Sequence, residues 1–269
     1  MDLELKKITD WLDATLKVAD FDDVSNNGLQ IERSETKGQR SEVTTVAFAV
    51  DASVRAVEAA AKVGAQLLVV HHGISWGGGI RRVTGGVGNV IRAAIENDLA
   101  VYACHLPLDA HPTLGNNAQL AKLLGLKRVK PAFSYHGNVI GLVGESSIRR
   151  ISESFESSNW RAGKGVLREE GNRVRSPTSA VRRFDDSDDS TILTVGVCSG
   201  GAGEFAEEAK RLGCDLYLTG EASWGDVIAA ENCGMKMLCL GHYETEVYGV
   251  RAVAKAMKRA LKVKTADLT

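Results

Sequence analysis

No C-x-x-C pair occurs among the five cysteines, Cys104, Cys198, Cys214, Cys233 and Cys239. An odd set with no paired spacing argues against a disulfide framework and against thiolate zinc sites. Cys104 and Cys239 fall in apolar runs, the setting of buried free thiols, so the implied compartment is a reducing cytoplasm. No apolar run is long enough to span a bilayer, and the opening residues Met1-Asp2-Leu3-Glu4-Leu5-Lys6-Lys7 lack the apolar core of a secretion signal. Charge of one sign is also missing. Thirty-three basic residues against 34 acidic ones leave a net −1, which supplies no global field for nucleic acid. The glycines at 77–79 and at 85, 86 and 88 carry neither Gly-Lys-Ser/Thr nor G-x-G-x-x-G, so they read as a flexible or ligand-covering loop. What is left is a globular profile, 44% hydrophobic and 25% charged over 269 residues, enough for one large domain or two small ones.

Apolar residues at Leu3, Leu5, Ile8, Trp11, Leu12, Leu16 and Val18 recur at a helical period and predict an amphipathic helix over 3–18. The turn-rich stretch 21–31, with Asn27-Gly28 as its tight turn, then enters a short strand; a turn is the expected role of this loop and lining a site the alternative. From 43 onward short apolar runs alternate with helical segments. The pattern predicts strands at 43–50, 66–70 and 99–103, and helices ending near 63 and spanning about 87–97. Asp51-Ala52-Ser53 offers capping oxygens for the first of these helices, and capping is the role expected of Asp51, with facing a metal site at the strand end as the alternative. A helix starting near Asn116-Asn117 follows, then a strand at 137–144 and a helix at 148–155. The Arg-, Gly- and Ser-rich stretch 161–183 and the acidic run Asp185-Asp186-Ser187-Asp188-Asp189 read as a solvated insert. The α/β texture resumes with a strand at 192–197, a helix at 202–212 and strands at 214–219 and 236–240.

The strand at 66–70 runs straight into His71-His72, which places two imidazoles at the lip of a sheet. Taken alone, such a pair is more simply one packed and one surface histidine. The rest of the chain changes the balance, because the pattern repeats. "AKVGAQLLVVHH" lies over "KRLGCDLYLTGE", which puts Glu221 where His72 stands. The next strand of the first half delivers His105 with Asp109 four residues on; its counterpart delivers His242 with Glu246 four residues on. The expected architecture is therefore α/β, two similar halves with mixed, largely parallel sheets and a metal site at the strand C-terminal ends between them. The N-terminal half, 1–127, carries His71, His72 and Asp109; a middle segment covers 128–190; the second half, 191–269, carries Glu221, His242 and Glu246.

Imidazole and carboxylate without thiolate suit divalent Zn, Mn, Fe, Co or Mg. His242 and Glu246, at i and i+4 in a first helical turn, share one face and can ligate together. More than three such ligands suggest two ions, an arrangement used in hydrolysis to acidify a shared water and stabilise both oxygens of a displacement. Helix caps and outer hydrogen bonds are the plainer use of the same pairs.

Five segments also resemble a known family: His71-His72-Gly73; His105-x-x-Leu108-Asp109 followed by Gly115-x-Asn117; Thr219-Gly220-Glu221; Gly241-His242-Tyr243-x-Thr245-Glu246; and the turn Asn27-Gly28-Leu29-Gln30. Together they look like the NIF-three-like dinuclear metal centre family, whose bacterial members are often labelled GTP cyclohydrolase I type 2 homologues. The resemblance implies two divalent ions per chain, with ligands His71, His72, Asp109, His242 and Glu246. Glu246 would bridge, and His105 would be an extra or outer ligand. It further implies a ring-shaped homohexamer and a metal-dependent hydrolase, of cyclohydrolase or phosphoesterase type, for a nucleotide-like small molecule. Glu221 is the expected proton shuttle in that chemistry. A non-catalytic metal-binding or scaffold hexamer is the alternative. Neither a membrane nor nucleic acid is expected as a partner. One departure is Glu244, where the family often has a small residue.

Overall fold

A computed structural model describes residues 3–34, 42–157 and 190–269. The expected insert at 161–189 lies outside the described residues. Helix α1, Leu5–Leu16, buries Leu5, Ile8, Thr9, Leu12 and Leu16 along one face, as its period requires. It is shorter than expected at both ends. Leu3–Glu4 instead forms a short strand, β1, which pairs antiparallel with residues 42 and 43. At the other end Lys17, at φ 53°, stops the helix.

The chain folds as two compact units, one formed by Met1–Gly115 with Gly249–Thr269, the other by Asn116–Tyr248. The hairpin beginning at Lys127 pairs onward into the second sheet. In addition, the C-terminal strand Lys264–Asp267 returns to the first sheet.

In the first unit come β2 (Gly28–Ile31), β3 (Glu42–Val43), β4 (Thr45–Asp51), helix α2 (Val54–Lys62), β5 (Leu67–His72), helix α3 (Gly85–Glu96) and β6 (Ala100–Ala103). The strand expected over 43–50 is thus two pieces. Val43 pairs with Leu3, and the Thr44 N–H is taken by Gln66 Oε1 at 2.9 Å. Strands β4, β5 and β6 are parallel neighbours; β2 closes one edge antiparallel to β6, and Lys264–Asp267 closes the other parallel to β4. Leu68, Val70, Val101 and Ala103 meet Val57, Ala60, Val90 and Ala94 from the two helices in one buried cluster. Burial on both faces explains why these strands read as unbroken apolar runs.

The second unit starts with helix α5 (Asn116–Leu123), which follows α4 (Leu106–Ala110) in the chain. Then come β7 (Lys127–Tyr135), β8 (Asn138–Ser147), α6 (Ile148–Ser157), β9 (Ile192–Cys198), α7 (Ala206–Arg211), β10 (Leu216–Thr219), α8 (Trp224–Cys233) and β11 (Met237–Cys239). Helix α9, His242–Leu261, leads into the C-terminal strand. Strands β9, β10 and β11 are parallel, whereas β8 and β7 join antiparallel beside β9. The core of this unit is built the same way: Val195, Val197, Leu216 and Leu218 pack with Leu120, Ile148 and Ile151.

The repeat expected from the sequence is present as topology. Parallel strand–helix–strand–helix–strand units run through β4 to β6 and again through β9 to β11. Strand β7 and helix α8 are not among the elements expected from the apolar periodicity. Strand β7 is an edge strand whose residues 127–131 are exposed and include three cations and a proline, and Pro is tolerated there because an edge needs no donor. Helix α8 buries only Ala230. Among the described residues no helix is long and apolar enough to cross a membrane.

Candidate metal centre

In the first unit β5 ends on His71 and His72, and β6 is followed directly by Cys104 and His105. Parallel neighbours in register bring the three imidazoles together, with ring centroids 4.6 Å apart for His71–His72, 5.1 Å for His71–His105 and 5.7 Å for His72–His105. One ligand nitrogen from each falls within 4.8 Å of the others.

Each ring is held from behind by an acceptor. His71 Nδ1 donates to the Cys104 carbonyl at 2.9 Å, His72 Nδ1 to Asp51 Oδ1 at 2.8 Å, and His105 Nδ1 to Asp23 Oδ1 at 2.9 Å. A carbonyl or ionised carboxylate can only accept, so all three neutral rings keep their proton on Nδ1 and present a lone pair at Nε2. That is the arrangement in which histidines ligate metals. Asp109, on α4, adds a buried carboxylate with Oδ2 3.5 Å from His71 Nε2. This donor set, three neutral imidazoles and a carboxylate, fits a borderline divalent ion.

Two of the supporting carboxylates depart from the roles expected first of them. Asp51 does not cap α2; Ser53 does, accepting the Ala56 N–H at 3.1 Å, and Asp51 orients His72 instead. Asp23 lies in the 21–31 loop and is not itself singled out by the sequence. Its side chain is buried and accepts four hydrogen bonds, from His105 Nδ1, the Ser25 and Leu106 N–H groups and Asn27 Nδ2. Burial pushes its carboxyl up, but the hydrogen bond from His105 and that ring's charge when it is protonated, then Asn27 and Ser25, outweigh that and hold it near 2. An aspartate just before an Asn-Gly turn is ordinarily a turn former, and its bond to Ser25 is of that kind. Nothing local announces a partner 82 residues away.

The second unit assembles its own group. His242 opens α9 and Glu246 sits one turn on, with Nε2 to Oε1 at 3.3 Å. Glu221, just beyond β10, has Oε1 3.0 Å from His242 Nδ1. It therefore stands to His242 as Asp51 stands to His72. The bond to Glu246, opposed by burial and helped by Glu221, raises His242 to about 9. Glu246 is buried against Gly200, which is at φ +68°; any Cβ there would collide with the Glu246 carboxylate. The neighbourhood is tied down by polar residues. Thr245 Oγ1 accepts the Gly200 N–H at 3.0 Å, and Asn117 Oδ1 accepts the Ser199 N–H at 2.7 Å. Glu244 folds its carboxylate over Gly241.

Thus His71, His72, His105 and Asp109 converge in one unit, and Glu221, His242 and Glu246 in the other. The model of the family Duf34/NIF3 (NGG1p interacting factor 3) matches residues 3–268. A protein of Pyrococcus horikoshii named GTP cyclohydrolase 1 type 2 homolog is 37% identical over 263 residues, covering 98% of this chain and 96% of that protein. A protein of the same name from Deinococcus radiodurans is 36% identical over 245 residues, covering 91% and 84%. The solved structure of protein ybgI, described as of unknown function, superposes with a TM-score of 0.77 at 27% identity, covering 99% of this chain and 98% of that one. By sequence along nearly its whole length and by fold, the chain belongs to the DUF34/NIF3 family.

Proposed function

We propose that the chain binds two divalent metal ions and acts as a metal-dependent hydrolase on a nucleotide-like substrate. The observation that carries the metal reading is the set of three imidazoles whose Nδ1 protons are all committed behind the ring, leaving each Nε2 with a lone pair, in a cluster where one ring nitrogen of each lies within 4.8 Å of the others. In this reading His71, His72, His105 and Asp109 supply ligands from the first unit, and His242 and Glu246 supply them from the second. Ions held by such a set supply Lewis acidity and an acidified water. The chain's own residues do the positioning. Asp51, Asp23 and Glu221 fix the tautomers of His72, His105 and His242, and Asp109 and Glu246 bring negative charge that offsets that of the cations. Glu221, exposed and hydrogen-bonded to His242, is placed to hold or release a proton at Oε1.

Hydrolysis and a nucleotide-like substrate are supported by the name that the relatives carry, and a ring-shaped homohexamer by family resemblance. The test pairs metal content with turnover. His71→Ala and His242→Ala should each lower bound metal and abolish nucleotide hydrolysis together. A metal-loaded chain that turns over no member of a broad nucleotide and phosphoester panel would refute the hydrolase and leave a metal-binding or scaffold protein.

A further inference from the structure

Trp76 stands beside the three imidazoles and has no place in the chemistry so far. Its ring centroid lies 5.1 Å from that of His105, nearly perpendicular at 74°, and 6.0 Å from that of His72. Yet the residue remains 38% exposed. A large aromatic left partly open to water beside polar rings is a costly placement, since its burial elsewhere would be favourable. The placement is also rigid. The indole Nε1–H donates to the Gly73 carbonyl at 2.9 Å.

The backbone around Trp76 is clamped to the turn at 24–27. The Asn26 N–H donates to Ser75 O at 3.1 Å and the Gly77 N–H to Val24 O at 2.6 Å, with Ser25 bridged to Trp76 itself. Asn26 Nδ2 adds a bond to Ser75 Oγ at 2.7 Å. Gln30 Oε1 takes the Ile74 N–H at 2.7 Å, packing so tightly under Gly73 that a Cβ there would overlap the Gln30 amide. The indole is thus fixed on one side against His105 while part of it faces solvent. A preordered aromatic surface loses little entropy when a ligand stacks on it.

We propose that Trp76 is the specificity-determining residue of the centre, a platform that takes a planar unsaturated ring of the ligand, of nucleobase type, and sets it beside the imidazoles. The inference rests on the His71–His72–His105 cluster being the functional centre and adds to it a class of ligand.

The test compares guanosine 5′-monophosphate with ribose 5-phosphate, which keeps the phosphate and sugar and lacks the ring. Binding of each to the full chain is measured by calorimetry and by quenching of tryptophan emission, in metal-loaded and chelator-stripped samples whose metal content is assayed. Base–aromatic stacking predicts a preference for the nucleotide of roughly 5- to 150-fold. Trp76→Ala should erase the preference and the quenching while leaving ribose 5-phosphate binding and metal content unchanged; Trp76→Phe should retain most of it. A chain without the preference, or one in which Trp76→Ala keeps it, overturns the platform. A chain that shows the Trp76-dependent preference yet takes up no metal supports the platform and sinks the metal reading alone.

Discussion

Asp23→Asn removes one charge and changes almost no volume, so its consequence can be worked through bond by bond. Oδ1 of Asp23 accepts from His105 Nδ1 at 2.9 Å and the Ser25 N–H at 3.0 Å; Oδ2 accepts from the Leu106 N–H at 2.9 Å and Asn27 Nδ2 at 2.8 Å. An asparagine keeps only one oxygen. If its amide nitrogen took the Oδ2 place it would face two donors, neither able to adapt, because Asn27 is fixed by accepting the His105 N–H on its own oxygen at 2.8 Å. If it took the Oδ1 place it would face the Ser25 N–H and His105, and His105 can adapt by moving its proton from Nδ1 to Nε2. The second arrangement is the cheaper. It orphans one backbone N–H, worth about 1–3 kcal/mol of stability, and it removes the lone pair that His105 offers to a metal.

Loss of such an outer partner ordinarily lowers metal affinity about 10- to 100-fold. Competition of the protein with a chromophoric chelator for zinc reads the affinity, and urea denaturation of the chelated protein reads the stability. Wild-type zinc affinity in an Asp23→Asn chain that shows the expected destabilisation would refute the assignment of His105 as a ligand oriented by Asp23.

Gly73→Ala should destabilise the chain by about 1–3 kcal/mol through overpacking, because the added methyl meets the Gln30 amide and Ala103 Cβ; thermal unfolding checks this. In the metal-free protein His242 is raised from 6.5 to about 9 by Glu246 and Glu221. The stability it contributes is therefore complete below about pH 6.5 and lost as pH rises through about 9. Denaturation midpoints of chelated protein between those limits should fall, and Glu246→Gln should flatten the fall. Ser223→Ala breaks the capping box in which Ser223 Oγ accepts the Asp226 N–H while Asp226 accepts the Ser223 N–H. It should cost about 1 kcal/mol with zinc affinity unchanged in the same chelator competition.

The strand ends are legible in the sequence because both sheets are buried on two faces, so β5 reads as an apolar run that ends on its two histidines and β10 as one that gives way to Thr219-Gly220-Glu221. His71, His72, His105, Glu221 and His242 all stand at such punctuation. The internal repeat is legible for the same reason. The supporting partners are not. Asp23 and Asp51 look like turn and cap residues locally, and their role is set by tertiary approach to His105 and His72. Strand β7 escapes because Lys127, Arg128, Lys130 and Pro131 at an exposed edge follow no alternation, and its pairing with β8 overrides weak local propensity. Trp76 carries no signal either, since a tryptophan in a glycine-rich stretch declares neither its neighbours nor its exposure.

Elemental analysis of the full chain, purified without added metal and again after zinc or manganese loading and removal of excess, tests the metal centre most directly. Two ions per chain, falling in the His71→Ala and His242→Ala variants, is the expected result for a dinuclear site. A chain that holds no ion under either condition would contradict it.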